Sequence, residues 1–161
     1  MHARRVRGTT RRASDLRAVT LRVHTARLSY VGPDRLDITR AGADAYRKRT
    51  GLTWDGAAFA PSWPILRVAL KARSDAEFLA QSSPSLADEG RRVWDEAWSK
   101  YTADFIAEMK ASYRSNRETW RSLLARDEVT LCCYCTDASR CHRRIVAELL
   151  AKCGAVDCGE R

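Results

Sequence analysis

Nowhere in the 161-residue chain is there a run approaching the ~20 consecutive apolar residues of a membrane-spanning helix, so the sequence predicts no membrane partner. The start, MHARRVRGTTRRASDLR, has charges with no apolar stretch after them, which is not the pattern of a secretory signal. Its scarcity of acids would also suit a mitochondrial-type presequence. Cysteine is missing from the first 131 positions, and all six cysteines fall between Cys132 and Cys158. Cys132, Cys133 and Cys135 are too crowded for a disulfide framework, so reduced thiols and a cytoplasmic location are expected. No internal repeat is visible, and the only linker-like stretch is QSSPS at residues 81–85.

What is present suits one folded domain. Hydrophobic residues make up 45% and charged residues 30%, the balance of a globular chain rather than a disordered or fibrous one. The formal charge of +9 is partly an end effect, because Arg4, Arg5, Arg7, Arg11, Arg12 and Arg17 face only Asp15. The division expected is a basic arm over residues 1–17 and a single domain over 18–161. Such an arm holds polyanions by counterion release without reading their sequence, or is simply solvated.

Residues 19–31, VTLRVHTARLSYV, place Leu21, Val23 and Thr25 on one face and predict a first strand ended by Gly32-Pro33-Asp34. RLDITR at 35–40 reads as a second strand, 41–49 as a helix closed by Gly51, and 51–64 as a loop. Ser62 is placed to cap a helix that carries Pro64 in its first turn and reaches about Arg73. A long amphipathic helix over 86–113 carries Val93, Ala97, Tyr101, Phe105 and Met109, and a second helix over about 117–125 follows a break at Ser115-Asn116. Trp94, Trp98 and Trp120 read as core anchors, and His24 as a satisfied strand histidine. VTLCCYC at 129–135 is a β-prone run expected in the sheet centre, and 141–152 is a helix stopped by Gly154.

The loop between that strand and helix is where a parallel sheet places ligands. Backbone N–H groups of a helix start lack partners there, and the helix dipole favours an anion. His142, Arg143 and Arg144 in the first turn oppose the dipole unless an anion or carboxylate answers them. The same field lowers the pKa of a thiol, which makes Cys141 the expected reactive cysteine. The plainer alternative is a buried Cys141, with Arg143 and Arg144 paired to carboxylates such as Asp137 or Glu148. No cofactor is required. A second alternative is zinc held by Cys133, Cys135, Cys141 and His142, although the spacing differs from paired Cys-x-x-Cys knuckles.

VTLCCYCTDASRCHRRIVAELL resembles the family known as domain of unknown function 488, whose signature is a hydrophobic strand, Leu-Cys-Tyr-Glu, a short loop, then Cys-His-Arg opening a helix. Cys133 and Tyr134 fit the strand end, and Cys141, His142 and Arg143 fit the triplet; Cys135 stands where the family has Glu. Weaker likeness lies at Arg27, Ser29, the Ala60-Pro61-Ser62 turn and Tyr101. The resemblance implies a Rossmann-like domain with no assigned reaction.

The sequence therefore predicts a single three-layer α/β Rossmann-like domain with a mostly parallel sheet. Cys141, His142 and Arg143 are the expected working groups, as thiol, proton donor or acceptor, and anion clamp. Cys133, Tyr134, Cys135, Arg27, Ser29 and Ser62 are expected ligand contacts. The ligand class is anionic: phosphate-bearing, nucleotide or nucleic-acid-derived. The rival is a non-enzymatic nucleic-acid-associated accessory protein with a structural or metal-binding cysteine cluster.

Overall fold

Val23 and Thr25 alternate with more polar neighbours to build β1 (Arg22–Arg27), shorter than the patterned run 19–31. The computed structural model describes residues 20–161, so the basic arm over 1–17, with His2, lies outside the described residues. β2 (Arg35–Asp37) stops where Asp37 turns back on the chain: its carboxylate accepts from the Thr39 amide at 2.8 Å and hydroxyl at 2.7 Å. Thr39 Oγ1 in turn accepts from the Gly42 amide at 3.0 Å and caps α1 (Arg40–Thr50). Gly51 ends that helix in the left-handed region, with φ 72°.

The loop over 51–64 is tighter than its composition suggests, because residues Asp55–Phe59 form a 3₁₀ turn that buries Phe59 completely. Gly56 is required there: a Cβ would stand 1.9 Å from the Asp37 carbonyl oxygen. α2 (Trp63–Ser82) runs well past residue 73. Its apolar period fades at Lys71 to Glu77, but Lys71–Asp75 and Arg73–Glu77 pair one turn apart, and buried Ala69 and Ala76 keep a small-residue face inward. Gly90 of α3 (Ala87–Ser115) packs against the Ala76 carbonyl, where a Cβ would come within 2.6 Å. The linker-like residues 81–85 thus finish α2 and enter a 3₁₀ turn at Pro84–Leu86, joining two packed helices.

Asn116 separates α3 from α4 (Arg117–Leu124), as the sequence indicates. β3 (Glu128–Cys133) buries all but its first residue, and α5 (His142–Lys152) follows, stopped before Gly154 at φ 98°. A strand with no apolar signature, β4 (Val156–Glu160), completes the sheet. The order is β2-β3-β1-β4 and every pairing is parallel, with Val23 opposite Val129 and Arg27 opposite Cys133. β3 is therefore internal, as expected, and the chain has the Rossmann-like α/β fold.

One face of the sheet is aliphatic. Val23, Leu36, Val129 and Leu131 join Phe105, Met109, Trp120, Ile145, Val146 and Leu150 in a single buried cluster. The alternate residues are polar: His24 pairs with Glu128 at 2.9 Å, Thr130 donates to Asp34, and Arg161 reaches Asp34 at 3.2 Å. No helix among the described residues is long and apolar enough to cross a membrane.

Candidate functional site

The site forms where β3 ends and α5 begins. Cys133 is the last residue of β3, buried at 4% exposure, while Cys141 is the N-cap of α5 at 1%. Between them the loop doubles back and brings Cys135, half-buried, 3.8 Å from Cys133 in sulfur–sulfur distance. The three thiol sulfurs lie within 4.8 Å of one another, a cluster that could hold a metal ion. His142 is outside that set, but its Nδ1 is 3.6 Å from Cys133 Sγ and 4.0 Å from Cys141 Sγ. Its Nε2 stands 2.9 Å from the Ile38 carbonyl oxygen. A carbonyl can only accept, so Nε2 carries the proton and the Nδ1 lone pair faces the sulfurs.

This geometry reassigns the thiols. Cys135 is held below the usual thiol range, because the Cys133 and Cys141 thiols donate to it and His142 and Arg143 lie nearby. Cys141 is pushed well above that range by the same sharing and by burial, and Cys133 is raised as a donor to Cys135. Burial lowers the pKa of His142, so it is neutral at pH 7. At Cys141 burial and the two neighbouring sulfurs oppose the field of the helix start, while Cys135 is the more accessible thiol. In the metal-free reduced protein, iodoacetamide should modify Cys135 before Cys133 and Cys141. Peptide mapping over time checks the order, and first labelling at Cys141 would contradict it.

Arg143 is also placed differently from an anion clamp. It is 0% exposed, and its guanidinium donates to Glu160 from Nη2 at 2.9 Å and Nε at 3.3 Å, to the Cys135 carbonyl at 2.8 Å and to Cys141 Sγ at 3.5 Å. Its carboxylate partner is Glu160, not Asp137, whose carboxylate accepts from Ser139. Arg144 is half exposed and pairs with Glu148 at 3.4 Å and Asp157 at 2.7 Å.

A cavity of about 740 Å³ opens above the cluster. Cys133, Cys135, Cys141 and His142 form its floor, Tyr134 stands beside it at 65% exposure, and Arg143 does not reach it. Trp63, Leu66, Trp94, Trp98 and Tyr101 make apolar walls, and Arg40, Arg73, Arg91 and Arg140 line it as cations against Glu77 and Asp137. Trp94, Trp98, Tyr101, Phe105 and His142 follow one another with ring centroids 5.3–5.9 Å apart, a file running from the cavity wall into the core. Trp94 and Trp98 are therefore walls as well as anchors. Arg27 and Ser29 face a separate space of about 420 Å³ beyond the loop, and Thr136 borders both. Ser62 lines neither; its amide and hydroxyl donate to Glu108, so it does not cap α2 with its side chain. The cavity arginines and Glu160 escaped sequence reading, and only the loop position of Arg140 signalled one of them.

No curated protein and no solved structure matches the chain. Residues 78–154 match the family model described as DUF488-N3a, active DUF488-N3 subclade. That span, just under half of the chain, runs from the end of α2 through the thiol floor to Gly154, and over it the chain is similar to the domain of unknown function 488 family.

Proposed function

We propose that the cavity over the thiol cluster binds a small anionic molecule bearing a phosphate and a planar ring, of the nucleotide or nucleic-acid-derived class. The observation that carries this reading is the pairing of aromatic walls with four arginines in one concave space. Apolar rings stack on Trp94 and Trp98, while Arg91 and Arg140 meet the phosphate. Cys135 is the thiol nearest the bound molecule, and Cys141 and His142 act from beneath it. Arg143 positions the floor by tying the Cys135 carbonyl and Cys141 to Glu160 rather than by touching the ligand. The description of the matched family model as an active subclade favours a working site over a purely structural cysteine cluster. Six free cysteines suit a reducing, cytoplasmic setting.

Adenosine 5′-monophosphate, adenosine and inorganic phosphate are the probes. The monophosphate should quench tryptophan fluorescence and raise the melting temperature, stabilising the fold by about 2.7 kcal/mol at a hundredfold excess over Kd. Each half of the molecule alone should act more weakly. No protection by any of the three at millimolar concentration would overturn the reading.

A further inference from the structure

We propose that Cys133, Cys135, Cys141 and His142 Nδ1 form a binding site for a thiophilic d¹⁰ cation of the zinc type in the floor of the cavity. Zinc–sulfur bonds of about 2.3 Å at tetrahedral angles set two ligand sulfurs about 3.8 Å apart, and an imidazole nitrogen about 3.5 Å from each sulfur. Cys133 and Cys135 already stand at 3.8 Å, and Nδ1 is 3.6 Å and 4.0 Å from Cys133 and Cys141. All three sulfurs lie within 4.8 Å of one another.

The surroundings match what a metal histidine needs. His142 is buried and fixed by its Nε2–H bond to the Ile38 carbonyl, the second-sphere arrangement that presents the other ring nitrogen to an ion. Three thiolates, one neutral imidazole and a dication sum to one negative charge, and Arg143 Nη1, 3.5 Å from Cys141 Sγ, lies against it. Cys135 is the half-buried member, on the irregular loop after β3, where a small shift of the loop adjusts its sulfur to the tetrahedron. On binding, every ligand sulfur that still carries a proton releases it to solvent as its metal–sulfur bond forms, with no change of oxidation state.

This site does not depend on the identity of the anionic ligand. Cobalt(II) is titrated into the reduced, metal-stripped full chain. One equivalent should give intense tetrahedral d–d bands with thiolate charge transfer, and one equivalent of zinc should abolish them. Cys153→Ser and Cys158→Ser, at exposed positions, should bind as wild type. Cys135→Ser should weaken cobalt roughly tenfold or more, with circular dichroism showing it folded, and His142→Gln should shift the bands. Weak octahedral bands, a failure to saturate at one equivalent, or unchanged affinity in Cys135→Ser would overturn the proposal. Protection by adenosine monophosphate is measured on the metal-free protein, so failure of one site is distinct from failure of the other.

Discussion

Arg143→Ala should lower the melting temperature by on the order of 10 °C. The wild-type guanidinium is fully buried and holds four acceptors on three segments: the Cys135 loop, the N-cap of α5 and the last residue of β4. Removing one partner of a buried pair costs about 3–5 kcal/mol. Glu160 is about one-third exposed and regains water, which brings the expectation to about 3 kcal/mol. At roughly 2–8 °C per kcal/mol for domains near this size, a loss of that order follows. Arg143→Lys should recover little, because a single ammonium cannot reproduce a fork aimed at Glu160 and the Cys135 carbonyl together. Differential scanning calorimetry decides it. A drop of only a degree or two, with anion protection lost, would restore the clamp role to Arg143.

Phe105→Ala should cost about 3–5 kcal/mol, since its ring is fully buried and its removal leaves a cavity among large side chains. It also supports the site. The ring stacks on Tyr101 and meets His142 in a T-shaped contact at 5.7 Å, so its loss removes one of the contacts that fix the imidazole. Urea denaturation should show the lower midpoint with an unchanged slope. Near-wild-type stability would mean that the hydrophobic cluster is not a single unit at this point.

Much of the fold was legible where local chemistry and tertiary role agree. VTLCC at 129–133 is β-prone and is buried on both faces, while Tyr134 and Cys135, expected in the same strand, already belong to the loop; Gly51 and Asn116 end helices because of backbone conformations they accept or breaks they mark. α2 was underestimated because its second half is held by salt-bridged polar residues and two small alanines, which leave no strong apolar period. β4 was invisible for a different reason. VDCGE owes its strand conformation to pairing with β1 across more than a hundred residues, with a register shift at Val23/His24. With β4 hidden, Glu160 was hidden too, and Arg143 looked like a cation in want of an anion.

At the site, sequence neighbours were a good guide to place and a poor guide to role. The Cys133 to His142 segment does supply the floor, but Cys141 has beside it the sulfurs six and eight positions earlier that the loop folds onto it. Arg27 and Ser29 share the carboxyl end of the sheet with that floor, yet β1 delivers them to the far side of the Cys135 loop. The cavity itself comes from the packing of α2 on α3, which no single segment encodes.

The most direct measurement is isothermal titration of adenosine 5′-monophosphate into the wild type and into the Arg91→Glu/Arg140→Glu double variant. Both arginines line the cavity, and among the described residues their salt-bridge partners are the exposed Asp88 and Asp95, so the variant should fold normally. Saturable one-site binding in the wild type, weakened roughly tenfold or more (about 1.4 kcal/mol) in the double variant, is the predicted result. Equal affinity in the two proteins, or no binding to the wild type, would contradict the assignment of this cavity as an anion-binding site.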